Sequence, residues 1–409
     1  MAETLGAEGR AAPPSYLIFF FGALAALGPL SIDAYLPGIP AMAKSFGVSV
    51  VSLQNTLNVF LVGYAIGQFF GGALSDQIGR KRVGYSGLAV YLVASIAIAF
   101  AGSVEQMLTL RFFQAVGGGF STVICLATVR DIYPVEQLGR RFATVTMVLL
   151  IAPLVAPALG AAVLPLGWEM IFVLKAVYAG LLLAAYAWVV PETRPGRLGN
   201  LSLRSVFRQC FEVVRRRVDS RRLPIRYAMA MALAASCMMI FVTNSSFIYM
   251  EYFGVGPARF SALFALSVLG FMSMNLLSMW RLKSDNAGTF FRVGLTMQVL
   301  IASGLLAVVA SGNAALPTVV PFIVLAVSTL GLVGPAGSSR YMGFFGELAG
   351  SASSVYTTMM FFLGGTLGWL SGVLNDGTLL PIAVMMLAAS LAANAISWGL
   401  PRQLAATAP

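Results

Sequence analysis

Asp33 stands in the apolar run Leu30-Ser31-Ile32-Asp33-Ala34-Tyr35-Leu36-Pro37-Gly38-Ile39-Pro40, and Arg111 in another, Leu108-Thr109-Leu110-Arg111-Phe112-Phe113-Gln114. A charge inside such a run is costly to bury unless it is paired, wet or neutralised by a proton. The chemistry open to the carboxyl group is therefore reversible proton binding. The guanidinium can oppose it, stabilising the ionised acid when the two meet and favouring proton uptake when they part. A static structural pair is the plainer alternative. Lys175, in Phe172-Val173-Leu174-Lys175-Ala176-Val177, is a third such charge; it can snorkel, be neutral or line a cavity, and the sequence leaves these open. The chain contains no histidine. The usual general base, the usual metal ligand and any Ser-His-Asp arrangement go with it, so proton chemistry falls to carboxylates and no metal or cofactor is expected.

A second cluster is Gly72-Ala73-Leu74-Ser75-Asp76-Gln77-Ile78-Gly79-Arg80-Lys81-Arg82. Gly79 permits a tight turn, and Asp76 at the edge of an apolar run needs a cap or a partner. The forked guanidinium of Arg80 can bridge Asp76 to a second carboxylate, for which Asp131 is the natural candidate. The bland reading is that Arg80, Lys81 and Arg82 only set topology. A third segment, Ala152-Pro153-Leu154-Val155-Ala156-Pro157-Ala158-Leu159-Gly160-Ala161, combines prolines with small side chains. Proline kinks a helix and small residues let neighbours approach closely.

These groups must be positioned by membrane-spanning helices. Of 409 residues, 58% are hydrophobic and 10% charged, against about 25% charged in a soluble domain. No water-soluble core hides that much apolar surface. The net charge of +11 does not point to nucleic acid, because the charges sit in short clusters between apolar runs. Cys125, Cys210 and Cys237 imply no disulfide framework. Arg10 and Ala23-Leu24-Ala25 loosely fit a cleaved leader, but cleavage would leave an odd number of spans and break the charge pattern.

Twelve apolar runs are each near the length needed to cross a bilayer: 16–41, 52–74, 83–103, 106–130, 140–164, 168–190, 226–250, 259–280, 290–310, 315–336, 350–373 and 379–400. With the N-terminus inside, nearly all Lys and Arg fall on the cytoplasmic side, leaving Lys44 and Arg259 outside. Both termini are then expected in the cytoplasm. The chain divides into a six-helix bundle over 1–190, a linker over 191–225 and a second bundle over 226–409. In the linker, Leu201, Leu203, Val206, Phe207, Phe211 and Val214 alternate with Arg204, Arg208 and Arg215. That spacing suits either an amphipathic helix on the anionic leaflet or a solvated connection.

The loop of Gly72, Asp76, Gly79 and Arg80 resembles the signature of the major facilitator superfamily. In that family it latches the two halves in the outward-facing state against the start of the eleventh helix, here Gly346-Glu347-Leu348-Ala349-Gly350-Ser351. The degenerate copy expected after the eighth run is reduced to Arg281-Leu282-Lys283-Ser284-Asp285. Asp33 followed by Pro37 and Pro40 resembles the first-helix motif of drug exporters. Arg111 with Gln114 resembles the fourth-helix motif of proton-driven exporters, although Ala115 stands where that motif has glycine. Ala143, Ala152, Ala156, Pro157, Gly160 and Ala161 fall at positions of the family's antiporter motif. With Ala127-Thr128-Val129-Arg130-Asp131-Ile132-Tyr133, the whole is similar to the bicyclomycin and chloramphenicol resistance subgroup of drug–proton antiporters.

The resemblance implies an all-α, multi-pass protein of the bacterial inner membrane, acting as a monomer, with a small drug-like molecule and protons as its partners and the proton gradient as driving force. Related exporters often carry a second acid earlier in the first helix. Phe21 to Leu30 has none, which favours neutral or zwitterionic, partly aromatic substrates. Tyr35, Asn58, Tyr64, Gln68 and Gln114 are expected to line the pocket from the first half, faced by Phe241, Asn244 and Tyr249. An importer or facilitator of a small metabolite is the alternative. An enzyme lacks a catalytic group here, and a channel lacks a ring of charges or a filter.

Overall fold

The computed structural model describes residues 16–133, 135–193, 203–218, 221–282, 286–345 and 349–401. Apart from one bridge between Val218 and Arg221, their regular elements are helical. The first half holds α1 (Tyr16–Asp33), α2 (Ile39–Phe46), α3 (Val50–Ile78), α4 (Arg80–Ile98), α5 (Val104–Ile132), α6 (Val135–Val163) and α7 (Glu169–Val189). The linker carries α8 (Leu203–Arg215). The second half holds α9 (Leu223–Ser246), α10 (Pro257–Arg281), α11 (Ala287–Ala310), α12 (Leu316–Ser328), α13 (Leu330–Met342), α14 (Ala349–Val373) and α15 (Leu380–Trp398).

Among the described residues, 10 helical stretches are long and apolar enough to cross a membrane, with α1–α2 and α12–α13 each counting as one. Helix α4, which opens on Arg80, Lys81 and Arg82, and α14, rich in Ser, Thr and Gly, are not among them.

Local chemistry sets the breaks. Ser49 caps α3 by accepting from Ser52 N–H at 3.1 Å, and Ser103 caps α5 through Gln106 N–H at 3.3 Å. Gly79, with φ of 107°, turns the chain between α3 and α4; few side chains tolerate that conformation. In the first span, Pro37 offers no N–H to the Asp33 carbonyl and Pro40 none to that of Leu36. The helix therefore ends at Asp33 and restarts as α2 after a short 3₁₀ turn, Leu36–Gly38.

In the first half α3 and α4 pack along α5, and α1 packs against α5, α6 and α7. Gly63, Gly67 and Gly71 form a seam on α3 so close to α5 that a Cβ on Gly67 would meet the Val116 carbonyl oxygen at 2.5 Å. In the second half α9 packs on α14 and α15, and α10 on α12 and α13. The two groups meet where α3 packs on α14 and α6 on α10. Helix α8 lies between them at the end of the molecule rich in Arg and Lys. Its Phe207 ring sits 5.7 Å from Phe69 and 6.0 Å from Phe70 of α3, and its Gln209 accepts from Ser351 of α14 at 3.2 Å.

A buried charge cluster and its surroundings

Ending α1 at Asp33 leaves its last carbonyls short of helical partners, at the negative end of the helix dipole. Two buried cations answer that need. The ammonium of Lys175, on α7, donates to the Ser31 carbonyl at 2.9 Å, and the guanidinium of Arg111, on α5, donates to the same oxygen at 3.4 Å. Both side chains are fully buried, and Asp33 is only 5% exposed.

Arg111 is held on several sides. Its guanidinium lies 4.3 Å from the centre of the Phe60 ring and 4.6 Å from that of Tyr35. It donates to Gln114 Oε1 at 2.8 Å, and Gln114 Nε2 donates to Ser95 at 2.7 Å. Its Nε and second terminal nitrogen have no hydrogen-bond partner among the described residues. Lys175 sits 4.7 Å from the Phe172 ring centre and 5.2 Å from that of Tyr35. Such rings offer cations partial compensation for lost water. Ser31 itself donates to the Leu27 carbonyl and shares a hydrogen bond with the Tyr91 hydroxyl, each at 2.5 Å.

Here the arrangement departs from expectation. Asp33 and Arg111 come to one level of the first half, but they form no ion pair among the described residues. Arg111 is engaged by Ser31, Gln114 and two aromatic faces, and a second buried basic side chain, Lys175, shares the Ser31 carbonyl with it two residues from Asp33. A lysine within an apolar run was the available signal, but spacing alone could not show that α7 packs against the broken end of α1.

The loop cluster closes as expected in part. Arg80 Nε donates to Asp131 at 3.2 Å, and its guanidinium also donates to Ser75 at 2.6 Å. The side chain of Asp76 lies outside the described residues, as do Gly346, Glu347 and Leu348 at the start of α14 and Lys283, Ser284 and Asp285 after α10. Gly72 leaves ordinary van der Waals room for a Cβ. Glu192, not foreseen, accepts from the backbone N–H groups of Arg80 at 3.0 Å and Lys81 at 3.1 Å. A carboxylate at that helix start satisfies orphan donors and complements the dipole. An acid just past the sixth span was the only clue to it.

Pro153, Ala156, Pro157 and Gly160 all lie on α6. A Cβ on Gly160 would fall 2.0 Å from the Ala34 carbonyl oxygen. Ala156 is fully buried and clusters with Leu30 and Ala34. The small residues thus seat α6 against the broken end of α1, while α6 also packs on α10 of the other half. The side chain of Ala143 lies outside the described residues.

The expected lining residues divide. Tyr35 points into the first half and hydrogen-bonds Thr56 at 2.6 Å. Tyr64 hydrogen-bonds Thr122 at 2.7 Å and meets Phe361 of α14 edge-on at 5.0 Å, and Gln68 donates to Thr122 at 3.2 Å. Asn58 accepts from Thr243 of α9 at 3.4 Å, so it does face the second half. Asn244 instead ties α9 to α14 through Ser371 at 2.8 Å. Phe241 stacks on Phe264 at 5.7 Å, and Tyr249 meets Phe260 at 6.0 Å. Those two rings pack against rings of α10 within the second half. They are buried apolar surface, which periodicity alone cannot tell from a lining.

Residues 19–369 match the family described as the Major Facilitator Superfamily. An uncharacterised MFS-type transporter of Bacillus subtilis, YdgK, is 27% identical over 390 residues, covering 95% of this chain and 96% of its own. A bicyclomycin resistance protein homolog of Haemophilus influenzae is 28% identical over 377 residues, covering 90% and 92%. A chloramphenicol resistance protein of Pseudomonas aeruginosa is 30% identical over 378 residues, covering 88% and 85%. Among solved structures, a D-xylose-proton symporter superposes with a TM-score of 0.72 at 14% identity, over 94% of this chain and 98% of that one. At that identity the likeness is one of fold.

Proposed function

The chain belongs to the Major Facilitator Superfamily, and on that premise we propose that this multi-pass membrane transporter exports small drug-like molecules across the bacterial inner membrane in exchange for protons. The observation that carries the reading is the buried Asp33 at the broken end of α1, two residues past the Ser31 carbonyl that Lys175 and Arg111 share, in a chain without histidine. An acid in that setting is a proton site by default. The relatives named for bicyclomycin and chloramphenicol resistance supply the substrate class, antibiotics of those types.

In this reading the chain crosses twelve times with both termini in the cytoplasm, as bundles over 1–190 and 226–409 joined by 191–225. Helix α4 packs along α5 and α7, and α14 along α3 and α9. Each is thereby flanked by helices apolar enough to span, which supports counting both as crossings. Arg80, Asp131 and Ser75 hold the ends of α3, α4 and α5 together and serve the latch, while the small residues of α6 provide the surface on which the halves rock. Inward proton flow through Asp33 drives outward movement of drug from a site between the halves. Tyr64 and Asn58 border that site.

Proteoliposomes loaded with a pH dye test this. Chloramphenicol or bicyclomycin should move protons across the wild-type membrane, and Asp33→Asn should abolish that movement. Unchanged coupling in Asp33→Asn would remove Asp33 from the mechanism. In everted vesicles, energised accumulation that collapses with a protonophore indicates export, and its absence across a drug panel favours uptake of a metabolite.

A further inference from the structure

Lys175 and Arg111 share one carbonyl, yet they are held very differently. Arg111 is clamped by the Phe60 and Tyr35 rings and by Gln114. Among the described residues Lys175 makes one hydrogen bond, to Ser31. Both side chains keep donors without a partner among the described residues, but the four-carbon stem of Lys175 is flexible where the guanidinium fork is rigid. Asp33 lies two residues beyond Ser31, at the same helix end. The structure places both cations on the backbone oxygen and neither on the carboxylate, the arrangement suited to an acid that carries its proton.

We propose that Lys175 is the mobile counter-charge of the proton site, its ammonium resting on the Ser31 carbonyl while Asp33 is protonated and moving onto the Asp33 carboxylate when the proton leaves. The proton departs to water, and the negative charge it leaves on the carboxylate is met by the Lys175 ammonium, which moves without gaining or losing a proton. Both resting places lie at the negative end of the α1 dipole, which keeps the move inexpensive. The other groups around Asp33 are fixed. Arg111 comes from α5, Tyr91 from α4 and Tyr35 from the turn after α1, each held by hydrogen bonds or rings. Helix α6 presents the small residues Ala156 and Gly160 to Leu30 and Ala34 there. This move from Ser31 to Asp33 at the end of α1 bears directly on α6, which touches Ala34, and through α6 on α10 of the other half.

This rests on Asp33 as the proton site, so the test reads that site without any transport. In purified full-length protein, the infrared carboxyl band lost in Asp33→Asn gives the Asp33 titration midpoint. Lys175→Met should shift that midpoint by about one pH unit or more, and Lys175→Arg should restore it. In wild-type protein, the side-chain ¹⁵N resonance of Lys175 should move in the same pH step. An unshifted midpoint in Lys175→Met overturns the proposal. So does a stationary Lys175 resonance, which decides the matter even if Lys175→Met fails to fold. Linked titration in a protein that exports no drug would overturn the export reading and leave the Lys175 assignment standing.

Discussion

The hydroxyl of Ser246, at the end of α9, donates to the carbonyl of Leu36 at 2.7 Å. That carbonyl accepts from the Ile39 N–H in the short turn, and it keeps room for a second donor because the residue four positions on is Pro40, which has no N–H. A proline in the first half thus leaves an acceptor position open, and a serine in the second half fills it. Thr243 and Asn58 repeat the link one turn away, where Gly368 of α14 lies so close that a Cβ would stand 2.9 Å from both side chains. This polar seam joins the halves at the end of the molecule opposite the Arg- and Lys-rich loops.

Ser246→Ala removes the second donor to the Leu36 carbonyl and leaves it only the Ile39 N–H, at a cost of about 1 kcal/mol. If the seam opens during transport, that cost weighs on the closed form alone, and the closed-to-open ratio should fall about five-fold. Spin labels on the ends of α1 and α9 that meet at this seam, read by pulsed electron resonance, check this. An unchanged distance distribution would mean the bond is equally made in both forms.

Arg80→Lys keeps the charge but loses the fork that reaches Asp131 and Ser75 together. A double-mutant cycle of Arg80→Lys and Asp131→Asn, read by thermal unfolding in detergent, should give a coupling of about 1 kcal/mol. Additive losses would show that the pair contributes little.

Gly160→Ala should lower thermal stability and transport, because its Cβ would overlap the Ala34 backbone. Overpacking of this kind costs about 1–3 kcal/mol. Gly334→Ala, inside α13, meets nothing within 4 Å and should be neutral or stabilising by up to about 1 kcal/mol. Comparing the two melting temperatures separates close packing from helix propensity.

The turn between α14 and α15 should loosen in acid. The Asp376 carboxyl is held below its ordinary range by the hydroxyl and N–H of Thr378, at 2.6 and 2.9 Å. A group whose value is lowered on folding stabilises the fold above its unfolded value, and that contribution is lost as pH falls through the folded one. Protection of the Thr378 amide against hydrogen exchange, taken relative to its intrinsic rate, should therefore fall below about pH 4, and Asp376→Asn should remove most of that step.

Sequence alone determined that the chain is helical and lipid-embedded, because apolar runs bounded by charges have no other stable state. It also located the turn at Gly79 and the partnership of Arg80 with Asp131, since a glycine turn and charges at helix ends are local features. Which cation serves Asp33 was a different kind of question. Arg111 and Lys175 are both lone charges in apolar runs, and choosing between them requires knowing how α5 and α7 rotate about their axes against the end of α1. The same holds for Phe241 and Tyr249, whose rings turn toward α10, and for Ser246, whose partner is a backbone oxygen with no signature of its own beyond a proline four residues later. Periodicity records that a face is apolar; only the packed helices decide what that face meets.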